Sequence, residues 1–245
     1  MLVFGFHAVT SRLRRQAASI TELYVDAKRE DGRMRELLAV AAQAGVEARR
    51  VAAARLDRLC PNRRPQGVVA IAESRPPAVG FDALLDAIEG PPLLLLLDGV
   101  TDPRNLGACL RVADGAGAHG VIAPKDHACP LNEAAIQTAS GAAESVPYVM
   151  VSNLARTIDD LQERGITVLG TADGAERTLY EAEVPASVAW VLGAEGVGLR
   201  RLTKERCDAL VSSPMRGEVA SLNVSVAAGI VLYETVRRTR LGAAS

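Results

Sequence analysis

From Leu93 onward the sequence repeats one arrangement: a short, almost unbroken run of Leu, Val and Ile, a turn rich in glycine and polar residues, then a stretch with helical spacing. LLLLLDGV, GVIAP, VPYVMV, ITVLGTA, VAWVLGAEG and DALVSSPM are the apolar runs, six in all. A strand with no polar alternation has no face for water and must be covered on both sides. Between the runs lie NLGACLRVADGAGA, NEAAIQTAS and NLARTIDDLQERG, and after the last comes LNVSVAAGIVLYETVRRTR. Ser152 is a candidate cap for the third of these helices, which stops at Gly165. Strands alternating with helices predict a parallel α/β sheet with helices on both faces. Such sheets bind ligands beyond the carboxyl ends of their strands, which directs attention to the turns after each run.

The part before Leu93 is organised differently. ELYVDA and VVAIAE read as strands and RMRELLAVAAQAG as a helix ending on Gly45, a small α/β unit. ESRPPAVG and EGPP bracket the short helical stretch FDALLDAIEG, and proline-glycine punctuation of this kind marks a linker. The division expected is therefore 1–75, a linker at 76–91, and 92–245. Charge follows it. Residues 1–75 carry 14 Lys and Arg against 8 Asp and Glu, whereas residues 76–245 carry 14 against 21. A basic segment joined to an acidic one points the first part at a polyanion. A solvated arginine surface explains the same count, since lysine occurs only three times in the chain.

Several classes are set aside. No apolar run approaches the ~18–20 residues that span a bilayer, and MLVFGFHAVTSRLRRQ has its charges after the apolar patch, the reverse of a signal peptide. Cys60, Cys109, Cys129 and Cys207 form no CxxC pair and accompany no histidine cluster, which reads as reduced thiols in a cytoplasmic protein without a zinc site. No GxxxxGK[ST] is present, and GxGxxG does not follow the first strand of the sheet, so nucleoside triphosphate hydrolysis and dinucleotide binding lack their glycine loops.

Three post-strand segments bring polar residues and glycine to the expected ligand edge. In LDGVTDPRNLGACLRVADGAG, Asp98, Asp102, Arg104 and Asn105 fall between strand and helix, with Asp102-Pro103 as a turn and Asn105 as an N-cap. Arg111 has apolar sequence neighbours, Cys109, Leu110, Val112 and Ala113, and a charge so enclosed needs a partner or a task. In VLGAEGVGLRRL, Gly193, Gly196 and Gly198 free the backbone to approach a ligand around Glu195; a glycine turn before a helix is the plain alternative. In VSSPMRGEVASLNVSVAAGIVLYE, Ser221 is a candidate helix cap, with Asn223 and Ser225 in the first turn. His7 and His119 read as packing or surface residues, His127 lies in a turn, and Trp190 reads as core.

DPRNLGACLRVADGAG, LGAEGVGLRRL and SLNVSVAAGIVLYE, in this order, resemble the three motifs of the SpoU/TrmH class of RNA ribose 2'-O-methyltransferases. The likeness covers about residues 93–238. The basic first part, with FGFHAV near its start and RPQGVVA near its end, resembles that family's L30e-like RNA-binding domain. The resemblance implies a parallel α/β sheet of SPOUT type whose C-terminal stretch, about Val188 to Val236, threads a deep trefoil knot, against the general rule that chains do not knot. It implies S-adenosylmethionine as methyl donor and no metal. The donor would be held mainly by main-chain groups around Thr171, Leu192, Gly193, Gly198, Ser213, Leu222 and Asn223. Arg111 matches the motif arginine proposed to activate a ribose hydroxyl, and Asn105, Glu195, Asn223 and Ser221 match residues that orient it and the substrates. The implied substrate is a guanosine of 23S ribosomal RNA, with transfer RNA, or a non-catalytic RNA-binding role, as alternatives. A homodimer is implied, and the stripe Leu222, Val226, Ile230 and Tyr233 serves a core or a partner equally well.

Overall fold

The computed structural model describes residues 2–61, 64–72, 80–219 and 221–241, without the side chains of residues 15, 16, 240 and 241. Residues 73–79, which include the start of the expected linker, lie outside the described residues. The chain divides into two compact units, one of residues 1–77 with 140–145, the other of residues 78–139 with 146–245.

In the first unit the elements are β1 (Leu2–Phe4), α1 (Phe6–Gln16), β2 (Ile20–Asp26), α2 (Gly32–Gln43), β3 (Ala48–Val51), α3 (Ala53–Leu59) and β4 (Val68–Ala72). The strands form a mixed sheet in the order β1-β4-β2-β3, with β2 and β3 parallel and the other pairs antiparallel. The expected strands and helix are β2, β4 and α2; the edge strands β1 and β3 are too short and too mixed to stand out in sequence. Asp31 caps α2, accepting from the Met34 amide. One face of the sheet holds the core with Val9, Leu13, Leu23, Met34 and Leu37 buried. Arg12 is also buried, and its guanidinium pairs with Glu144. A buried charge is tolerable only with such a partner.

The second unit runs α4 (Phe81–Asp86), β5 (Leu93–Asp98), α5 (Pro103–Ala116), β6 (Gly120–Pro124), α6 (Glu133–Thr138), β7 (Tyr148–Val151), α7 (Leu154–Glu163), β8 (Thr167–Thr171), β9 (Arg177–Thr178), β10 (Val188–Gly193), α8 (Arg201–Arg206), β11 (Ala209–Ser212) and α9 (Val224–Val236). Its sheet has the order β7-β6-β5-β10-β8-β11-β9, every pair parallel. The six expected strands are present, joined by the two-residue β9 that no apolar run announces. Leu93 to Leu97 are fully enclosed, as an unbroken leucine run requires. Leu84 of α4 packs into the core beside Leu94, Leu96 and Ile122. Among the described residues no helix is long and apolar enough to cross a membrane.

Three caps differ from expectation. Asp102, not Asn105, caps α5, accepting from the Arg104 amide, with Pro103 at the first helical position. Asn153, not Ser152, caps α7. Asn223, not Ser221, caps α9, accepting from the Ser225 amide. In each case several adjacent residues can cap, and the strand-to-helix geometry selects among them.

Candidate active site

Because β5, β10, β8 and β11 run parallel, they end on one edge of the sheet, and Gly193 sits in register with Asp98. A cleft of about 280 Å³ opens at this edge. Thr171, Leu192, Gly193, Gly198, Ser213 and Leu222 line it, and so do Ser221 and Glu195. Asn223 lies beside this lining.

The glycine turn owes its shape to close backbone contact. The Ala194 amide donates to the Asp98 carbonyl at 3.0 Å, and the Gly198 amide returns to the Ala194 carbonyl at 2.8 Å. This return brings the Gly198 carbonyl carbon within 2.1 Å of where a Cβ on Gly193 would sit. Only glycine fits there, and Gly196 and Gly198 have φ of +75° and +71°, which side chains disfavour. The far end of the turn is fastened by Asp98. Its carboxylate, completely enclosed, accepts from the Arg200 backbone amide at 2.9 Å and from Arg200 Nε at 2.5 Å. Asp98 is therefore the last residue of β5 and a structural anchor, not a loop residue. The acidic end to an apolar run was its only signal in sequence.

Three polar residues from three separate post-strand segments, Asn105 in the first turn of α5, Glu195 in the glycine turn and Asn223 at the cap of α9, meet beside the cleft. Asn223 Nδ2 donates to Asn105 Oδ1 at 2.9 Å and to Glu195 Oε1 at 2.5 Å. Asn105 Nδ2 reaches the same Glu195 oxygen at 3.4 Å, as does the Val224 amide at 3.3 Å. Asn223 Oδ1, meanwhile, accepts from the Ser225 amide and hydroxyl. One asparagine thus caps α9 and joins the first turn of α5 to the glycine turn after β10. Helical spacing does not foretell this junction, because the partners are 118 and 28 residues away.

Arg111 stands apart. α5 buries Leu106, Cys109, Leu110 and Ala113, and Arg111 is exposed beyond the edge of that face. The expectation of an enclosed arginine is corrected: neighbours in sequence on a helix point in different directions, so an apolar environment in sequence is not one in space. Arg111 does not line the cleft, and among the described residues its guanidinium has no hydrogen bond or ion pair. Asp173, Lys204 and Met215 do line the cleft and were not singled out in sequence. Asp173 lies in a post-strand turn, the only hint available, and Lys204 sits on α8 with no distinguishing pattern.

Other chemistries have less support. Burial pushes the Cys109 and Cys207 thiols up to about 12, so neither is a ready thiolate. Trp190 is fully buried and donates from Nε1 to Thr235 Oγ1 at 2.8 Å, a core residue and not a stacking platform. His119 is tied to the sheet, Nδ1 accepting from the Leu93 amide. Among the described residues no group of three or more His, Cys, Asp or Glu is placed to hold a metal ion.

A parallel sheet with a glycine-walled cleft and a polar junction at its carboxyl edge is the frame of a ligand-binding transferase domain, and this one belongs to the SpoU rRNA Methylase family, whose model matches residues 92–233. Residues 2–78 match the model described as RNA 2'-O ribose methyltransferase substrate binding. Among individual relatives, the 23S rRNA (guanosine-2'-O-)-methyltransferase RlmB of Ralstonia nicotianae is 58% identical over 97% of this chain and 95% of its own. The RlmB of Neisseria meningitidis is 50% identical over 96% and 94%. The solved SpoU methyltransferase AviRb from Streptomyces viridochromogenes, in complex with the cofactor AdoMet, superposes with a TM-score of 0.78 at 28% identity, covering 99% of this chain and 91% of its own.

Proposed function

We propose that the protein transfers a methyl group from S-adenosylmethionine to the ribose 2'-hydroxyl of a guanosine in 23S ribosomal RNA. The observation that carries this reading is the meeting of Asn105, Glu195 and Asn223, one from each family motif, beside a cleft walled by the glycine turn. The near full-length identity to RlmB relatives supplies the substrate.

The cleft fits the donor on its own features. Its walls combine Leu192 and Leu222 with the main chain of the glycine turn and with the polar side chains of Asp173, Glu195 and Lys204, and its volume suits a bent nucleoside. Thr171, Leu192, Gly193, Gly198, Ser213 and Leu222 would hold it. When bound, the donor supplies an electrophilic sulfonium methyl. The protein's own task is to make a ribose hydroxyl nucleophilic. A guanidinium is a hydrogen-bond donor with no acceptor for a proton, so Arg111 is not read as a general base; its charge stabilises negative charge developing on the 2'-oxygen. Asn105, Glu195 and Asn223 hold the start of α5, the glycine turn and the start of α9 in one geometry, and Ser221 contributes at the rim.

Arg111 lies outside the cleft of its own chain, which favours a homodimer in which it serves the partner's cleft. Val226 and Tyr233 on α9 are about half exposed, at 51% and 53%, and Ile230 lies between them on the same helical face. Of the stripe that sequence leaves undecided, Val226 and Tyr233 thus face outward, as an interface requires, whereas Leu222 lines the cleft. The return of α9 to α5 and β10 after β11 supports a deep trefoil knot over about residues 188–236, and the mixed four-stranded sheet supports an L30e-like first domain. We read the chain as an RNA-binding domain (1–75) and a methyltransferase domain (92–245), joined by the connecting stretch 76–91, whose helix α4 packs into the second unit, and working in the cytoplasm on its ribosomal substrate.

Transfer of tritium from labelled donor to unmodified 23S RNA, followed by mapping of ribose methylation, tests the reading. One methylated guanosine is the expected result; no transfer, or transfer to transfer RNA alone, overturns it.

A further inference from the structure

The first unit has a hollow of its own, about 230 Å³, at the carboxyl end of β2. Its floor is apolar, made by the buried Leu56 and Pro65. Its rim carries Asp26, Asp57 and Arg64. The walls are held in place before any ligand arrives. The Asp26 amide donates to the Gly67 carbonyl at 2.9 Å, and Arg29 reaches across to the Gln66 carbonyl while its guanidinium lies 4.5 Å from the Phe6 ring centre. Gln66 is kept at φ +54°, a conformation costly to a residue with a side chain and found where the surroundings impose it.

The two rim charges least committed to the fold are Asp57 and Arg64, whose side chains have no hydrogen bond or ion pair among the described residues. Asp26 is half committed, since one of its oxygens accepts from the Lys28 amide. Two carboxylates at the rim repel a phosphate group, so the hollow does not suit the RNA backbone. An apolar floor with both a carboxylate and a guanidinium among the lining residues suits a base instead. Among the four standard bases, guanine alone presents two adjacent donors, N1–H and the 2-amino group, which match the two oxygens of a carboxylate. Its opposite edge carries the O6 and N7 acceptors that an arginine reads. Outside the hollow, Lys28 and Arg50 by the β2 end, and Arg55 and Arg58 on α3, are exposed cations fit for the flanking phosphates.

We propose that this hollow holds one unstacked guanine of the RNA substrate, with Asp57 accepting from N1–H and the 2-amino group and Arg64 donating to the O6 and N7 edge. The proposal rests on the reading that the substrate is RNA and names what the first unit recognises in it. The hollow is lined by residues of the first unit alone and the cleft by residues of the second, and the proposal assigns to the hollow a nucleotide other than the one methylated.

The test uses the full chain and the labelled pentanucleotides UUGUU, UUAUU, UUCUU, UUUUU and UUIUU, the last with inosine, which lacks the 2-amino group. Fluorescence anisotropy is expected to rank UUGUU about tenfold tighter than the A, C and U forms, with inosine in between. Asp57→Asn and Arg64→Ala are each expected to abolish that preference while S-adenosylmethionine affinity, measured by calorimetry, stays as in the wild type. Equal binding of all five, or a guanine preference that survives Asp57→Asn, overturns the proposal. The methyl-transfer assay is independent: guanine preference without 23S methylation rejects the enzymatic reading alone, and methylation without guanine preference rejects this one alone.

Discussion

A methyl group added at position 193 would sit 2.1 Å from the Gly198 carbonyl carbon, 2.3 Å from its oxygen and 2.4 Å from the Leu199 nitrogen. All three are backbone atoms, so relief requires the whole turn to move. Gly193→Ala is therefore expected to weaken donor binding at least about tenfold in a calorimetric titration, the loss following from a misplaced main chain. Arg111 is the opposite case. It is exposed and outside the cleft, so Arg111→Ala should leave donor affinity within about twofold while turnover falls by about 10²–10³, the usual consequence of removing one preorganised charge. Lost donor affinity in Arg111→Ala, or unchanged affinity in Gly193→Ala, would reverse these assignments.

α9 links the site to the C-terminal end of the chain. Its first residue is capped by Asn223, a member of the polar junction, and its last turn carries Glu234. Hydrogen bonds from Arg237 outweigh burial, and with those from Arg238 they hold the Glu234 carboxyl down at about 2, against an ordinary 4.5. Arg238 also donates to the carbonyls of Leu179 and Tyr180, so the helix end is tied to the chain after β9. A depressed carboxylate stabilises the fold above its unfolded value and ceases to do so as pH falls through its folded value. The gap in Tm between wild type and Glu234→Gln should be full above about pH 4.5 and close towards pH 2. A gap that does not change with pH would remove this ion cluster from the account of stability.

At the scale of the molecule the proposed reading depends on assembly. The outward stripe on α9 and the solvent-exposed Arg111 make sense together if two chains associate, each supplying a guanidinium to the other. Sedimentation of the wild type is expected at twice the chain mass of 25.8 kDa. Val226→Asp places a charge in the stripe and should yield a monomer with its donor cleft intact and its methyl transfer lost. A Val226→Asp dimer, or an active monomer, would contradict the arrangement.

The six long strands of the second unit, the wall helices and the carboxyl-edge location of the site are legible in the sequence, because burial on both faces writes itself as an unbroken apolar run. The residues of the three motifs are legible too, and most of those assigned to the donor do line one cleft. What chain order cannot express is which of several adjacent residues caps a helix, since Ser152 and Asn153, or Ser221 and Asn223, are equally able. Nor does it express direction around a helix within a mixed neighbourhood, which is why Arg111 looks enclosed and is exposed. The Asp98–Arg200 anchor and the Asn105–Glu195–Asn223 junction join residues 28 to 118 positions apart. Hydrogen bonds act over about 3 Å of space and not along the chain, so those partnerships come into being only when the strands align and bring their loops to one edge.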